Sequence, residues 1–168
     1  GTQSDSALAT VEVYNQTDFG ARTGTSSPWS SGVPPMGTSR SGHVAMVVGN
    51  SVYVAGGTSN FVALSSAEVL HDVDADSWSA IASMRSARTL FAGAVVNENM
   101  YVFGGWSGST CFDHAEVYTV SNDSWSSIAP MQISRSDFTA TAVGNNIYLM
   151  GGGGTSSAEV YSVDSNSY

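Results

Sequence analysis

Apolar residues along this chain come in short runs, the longest about five residues, and turn-forming residues follow each one. Val44 to Val48, Ala92 to Val96 and Thr139 to Val143 lead directly into Gly49-Asn50, Asn97 to Asn99 and Gly144 to Asn146. Runs of this length with such boundaries predict strands buried on both faces, each turning into a hairpin partner. The partners are Val52-Tyr53-Val54-Ala55, Met100-Tyr101-Val102-Phe103 and Ile147-Tyr148-Leu149-Met150, and each ends in a pair of glycines. Paired glycines at a strand end predict a close backbone approach or a positive φ, where a Cβ is unwelcome. A Glu-Val pair follows every time, at Glu68, Glu116 and Glu159, and predicts a third strand. Trp78 and Trp125 then open a fourth, after the turn-forming stretches 74–77 and 121–124; residues 164–167 form the same stretch in the last copy.

The pattern is an internal repeat. The first glycines of the three pairs, Gly56, Gly104 and Gly151, are 48 and 47 residues apart. Arg40, Arg88 and Arg135 precede them at equal distance, and Met84 and Met131 close the units. Glu12-Val13-Tyr14, Trp29 and Met36 supply the second half of an earlier copy, while Tyr168 stands where Trp125 stands in its repeat. A diglycine after a Tyr-containing strand, with a Trp about 24 residues beyond that Tyr, resembles the kelch repeat from Glu12 to Tyr168. That resemblance implies an all-β fold, a kelch-type β-propeller in which each repeat is one four-stranded blade.

The expected organisation is a half blade at residues 1–39, with a Thr-, Ser- and Gly-rich insertion at 15–27, followed by repeats at 40–87, 88–134 and 135–168. The last lacks most of its fourth strand. About three and a half blades make an incomplete or open propeller, since closed ones have roughly four to eight. The expectation is therefore that the remainder of a longer chain, or self-association, completes it.

Composition narrows the function. Ser and Thr occupy 42 of 168 positions, there is no Lys, and five Arg against 14 carboxylates give a formal charge of -9. Such a field repels phosphate backbones and anionic membrane surfaces, so nucleic acid is not an expected partner. No apolar run approaches a bilayer span, so no membrane insertion is expected. No targeting segment is evident behind Gly1. Abundant hydroxyls without Lys point to an extracellular or secreted glycoprotein, with sequons at Asn15 and Asn122 as glycosylation candidates.

The resemblance also implies where a ligand would bind. Residues at the positions of Arg40, Arg88 and Arg135 lie near one mouth of the propeller, beside the loops carrying Asn60 and Phe61 and, in the next repeat, Trp106, Phe112 and His114. Guanidinium forks suit carboxylates or sugar hydroxyls, although each Arg has the alternative of pairing with a local carboxylate or carbonyl. Exposed Trp106 and Phe112 would offer a stacking surface to a sugar or a peptide. Cys111 with His114 suggests a nucleophile and base or two metal ligands, but a metal site wants three or four ligands, and neither a metal nor a cofactor is expected. Asp72, Asp74 and Asp76 alternate like a calcium loop but lack its Gly and its bidentate Glu. The expected function is a non-enzymatic module for binding or scaffolding that engages protein or glycan through one propeller face. The alternatives are part of a galactose-oxidase-like copper enzyme or sugar epimerase, and a self-assembling filament subunit.

Overall fold

A computed structural model describes residues 9, 13–14, 29–30, 33–72 and 75–168. The chain is all-β, and its sheets form an incomplete propeller. Strands β1 (Val13–Tyr14) and β2 (Trp29–Ser30) pair antiparallel as a remnant sheet. The first full sheet contains β3 (Val44–Val48) and β4 (Ser51–Ala55), then, after a two-strand ribbon of β5 (Thr58–Ser59) and β6 (Val62–Ala63), β7 (Ala67–Leu70) and β8 (Ser79–Ile81). The second contains β9 (Ala92–Val96), β10 (Asn99–Phe103), β11 (Ala115–Thr119) and β12 (Ser124–Ile128). The last consists of β13 (Thr139–Val143), β14 (Asn146–Met150) and β15 (Ala158–Ser162). An isolated bridge between Ser162 and Ser167 marks the start of a fourth strand there. The pairing of Tyr14 with Trp29 repeats that of Tyr118 with Trp125, so β1 and β2 correspond to the outer half of a blade. The insertion at 15–27 lies outside the described residues. Among the described residues no helix is long and apolar enough to cross a membrane.

Strand alternation builds the core. In β10, Met100 and Val102 point one way and pack with Tyr118 and Trp125 against Met46, Tyr53, Ala55 and Val69 of the preceding sheet. Tyr101 and Phe103 point the other way and meet Ile147, Leu149 and Tyr161 of the following one. The fully buried Phe103 ring stands edge-on to Tyr161, with centroids 5.6 Å apart. Inter-sheet bonds seal the stack: the Trp125 indole donates to the Ala82 carbonyl at 2.8 Å, and the Ala82 amide donates to Asp123 Oδ1 at 2.8 Å.

One expectation needs correcting. Of the three strands β3, β9 and β13, among the described residues only β9 has a neighbour on both faces, because it lies between the other two. In β3 and β13 the burial alternates, and Val47 and Val143 are 61% and 62% exposed. Beyond β13–β15 no described sheet follows, so Val143, Met150 and Val160 stay open to solvent although their counterparts in the second sheet are covered.

His43 occupies the position of Phe91 and Phe138, half-buried, with its Nδ1 lacking a hydrogen-bond partner. Burial, then the charge of Arg40, hold its titration below the ordinary imidazole value of 6.5. The unfolded chain therefore takes up this proton more readily, so stability present above pH 6.5 is lost as pH falls from there towards the folded-state value. The thermal midpoint is expected to drop between pH 7 and 5, and His43→Phe should reduce that slope. An unchanged slope in the variant would exclude His43 as its source.

Candidate functional site

The strand register defines one end of each blade. Phe103 lies opposite both Ala92 and Ala115, and Ala115 lies opposite Ile128, so the β10–β11 connection and the entries and exits of the sheet share that end. The first sheet repeats this through Ala55, Val44, Ala67 and Ile81. The resulting mouth carries the ribbon β5–β6, the loop 104–114 and the segments linking one sheet to the next.

At this mouth the three arginines turn inward, which corrects their expected role as ligand contacts. All three are buried. Arg88 Nη2 lies 2.6 Å from Glu116 Oε1, and Arg135 Nη2 lies 2.9 Å from Glu159 Oε1; Arg40 pairs with Glu68 in the same way. Each Nη1 donates to the carbonyl of the first glycine of its pair: Gly56 at 2.7 Å, Gly104 at 2.8 Å and Gly151 at 2.7 Å. The carboxylates also accept backbone amides from the inter-sheet segments, at Gly37 and Thr38, Arg85 and Ser86, and Gln132. The physical reason is that a third-strand Glu buried without a cation would carry an uncompensated charge, so the guanidinium is drawn to it.

The glycine pair makes this approach possible. Gly104 and Gly105 have φ of 58° and 99°, and a Cβ on Gly104 would lie 2.5 Å from the Arg135 carbonyl oxygen. Beyond the pair, Trp106 exchanges backbone hydrogen bonds with Thr89 at 2.8 and 3.0 Å, holding its indole at the surface, 36% exposed.

Phe112 and His114 are not free to the same degree. Their ring centroids lie 4.2 Å apart with the planes tilted by 44°, the Arg88 guanidinium carbon lies 5.5 Å from the centroid of Phe112, and His114 Nε2 is 3.0 Å from Ser86 Oγ. Burial, then the charge of Arg88, push the His114 titration below the ordinary imidazole value, favouring the neutral ring. Asn60 and Phe61, by contrast, occupy the tip of the β5–β6 ribbon, where Phe61 is 89% exposed.

Leu90 was not legible as a surface residue. It is 44% exposed with φ of 53°, where Gly42 and Asp137 stand in the sister repeats with φ of 63° and 54°. Its amide donates to the Gly42 carbonyl at 2.9 Å, and the Asp137 amide donates to the Leu90 carbonyl at 2.8 Å. A Leu in register with Gly and Asp was the available signal.

Other candidates are placed apart. Cys111 is half-buried and bridged to Trp106, and among the described residues no three His, Cys, Asp or Glu gather as metal ligands. His43 and His114 belong to different sheets and His114 engages Ser86, so these residues do not fit a copper site. Asp72 accepts a bond from Asn50 at 3.0 Å in a turn, and Asp74 lies outside the described residues. Asn15 does too. Asn122 is exposed in a single 3-10 turn (Val120–Asn122) at the far end of the blade, accepting the Ser124 hydroxyl at 2.7 Å.

A family model described as the KLHDC2/KLHL20/DRC7 Kelch-repeats domain matches residues 5–163. No curated protein matches the chain.

Proposed function

Because the chain belongs to the kelch-repeat family, we propose that it is a protein-binding propeller module whose partner lies across the mouth that displays Phe61, Val62, Leu90 and Trp106. The observation that carries this reading is the company these residues keep. Large apolar side chains stand in water there, while Arg40, Arg88 and Arg135 of the same mouth are buried. Exposed aromatic residues on a rigid frame supply contact area at little entropic cost, and they recur among the residues that dominate binding energies. The backbone of Trp106 is fixed by its bridge to Thr89, which anchors the base of the side chain.

The reading is non-enzymatic. His114 and Ser86 are close enough to share a proton, but among the described residues no carboxylate bonds the imidazole Nδ1 to complete a catalytic relay. A second reading, favoured by the open indole of Trp106, is a glycan stacked on that ring. The Ser- and Thr-rich, Lys-free composition supports an extracellular setting for either.

The test presents the intact chain to a displayed peptide library and to a glycan array. Peptide binders are expected, and Trp106→Ala should weaken them by about 2 kcal/mol, roughly 30-fold, without shifting the thermal midpoint. Glycan binding alone, abolished by the same variant, would support the second reading. Binding untouched by Trp106→Ala would overturn both.

A further inference from the structure

The β5–β6 ribbon closes through a two-residue turn with Asn60 at φ 47° and Phe61 at φ 64°. Two successive left-handed residues belong to the hairpin turn whose second position ordinarily takes Gly, because any Cβ is strained there. Asn tolerates the conformation; a bulky aromatic does so poorly. Phe61 combines this strain with 89% exposure, so its ring recovers nothing by packing within the chain.

The fold does not demand such a residue. In the equally long loop of the second sheet Gly108, at φ 99°, stands in register with Asn60, and Ser109, in register with Phe61, is not left-handed; the shorter connection of the third sheet uses Gly153 and Gly154 at 59° and 80°. Strain kept where glycine would serve is a mark of a working position.

We infer that Phe61 is an anchor that inserts into an apolar socket on a folded protein partner, and that basic residues rim the socket. This rests on the protein-binding reading above and names its central contact. The shape selects the occupant: a convex tip with Val62 exposed beside it is enclosed by a concave protein surface, whereas a sugar can only lie against one side of it. Charge selects the rim. Residues 56–66 carry no ionisable side chain, Arg40, Arg88 and Arg135 are locked in ion pairs, and around the mouth Asp113 and Asp137 stand exposed against Arg85, so with a net charge of -9 the field favours a cationic partner.

The experiment compares the intact chain with Phe61→Gly and uses as probe a displayed library of small folded domains with a randomised concave surface. Glycine relieves the turn, so Phe61→Gly is expected to raise the thermal midpoint by a few degrees. Domains selected on the unaltered chain should lose at least 30-fold in affinity for the variant, carry Lys or Arg around the pocket, and weaken with added salt. A lowered midpoint would show that the ring supports the fold, and undiminished affinity would show that it anchors nothing; either result overturns the inference. Binders lost with Trp106→Ala but kept by Phe61→Gly would sink the anchor and leave the module reading standing. Binders indifferent to both variants would sink the two together.

Discussion

Replacing Arg88 by Ala is expected to remove about 3–5 kcal/mol of stability, the usual loss when one member of a buried ion pair is deleted. Arg88 and Glu116 are both almost inaccessible to water, at 0% and 1% exposure. The truncation strands the Glu116 carboxylate in the interior. It also removes the donor serving the carbonyls of Gly104 and His114, at 2.8 and 3.2 Å. Small domains retain only about 5–15 kcal/mol in total, so the loss takes a large share of the stability. Glu116→Gln should cost less, because the side chain keeps its volume and one acceptor oxygen, although Arg85 and Ser86 donate to different carboxylate oxygens and one of the two amides loses its acceptor. Urea unfolding followed by tryptophan fluorescence measures both. A loss under 1 kcal/mol for Arg88→Ala would mean that the guanidinium is dispensable to the fold, and would return it to consideration as a ligand contact.

Gly104→Ala is expected to be nearly as damaging, for two separable reasons. The left-handed conformation at φ 58° costs an alanine roughly 1–2 kcal/mol. The added methyl then meets the Arg135 carbonyl oxygen at 2.5 Å and Met131 Cε at 2.9 Å, and such overpacking typically costs about 1–3 kcal/mol more. Gly49→Ala provides the reference. Its φ is 58° as well, yet a Cβ there meets nothing within 4 Å, so it should show the conformational cost alone. Denaturation midpoints that fall equally for the two variants would refute a close approach between the second and third sheets at Gly104.

The repeat made most of the architecture legible before any coordinates. Strand positions and the glycine pairs follow from local rules that act in the same way in each copy, so three copies of one pattern reinforce each other. What escaped depends on neighbours. Period-two alternation shows that Val47 and Val143 share faces with other apolar residues, but not that those faces lack a sheet to pack against. The inward turn of the arginines was half visible. Arg40 and Glu68 are 28 residues apart, and so are Arg88 and Glu116. A cation and an anion that repeat in register invite pairing, yet spacing gives no side-chain direction, and the carbonyls that fix the guanidiniums come from the glycine turns. The strain at Phe61 and Leu90 was hidden for another reason: neither residue type announces a positive φ, which comes from the two-residue turn at Phe61 and is matched by Gly42 at Leu90.

The relay of amides through Gly42, Leu90 and Asp137 has a consequence for how the molecule comes apart. Each link joins a blade only to its immediate neighbour, as do the clamps from Asp123 to Ala82 and from Asn166 to Ala129. Cohesion of this kind behaves as a one-dimensional chain of nearest-neighbour couplings. The middle sheet, held from two sides, becomes the cooperative keystone, and opening proceeds inward from the flanks, so amide exchange slows step by step towards β9 and β10.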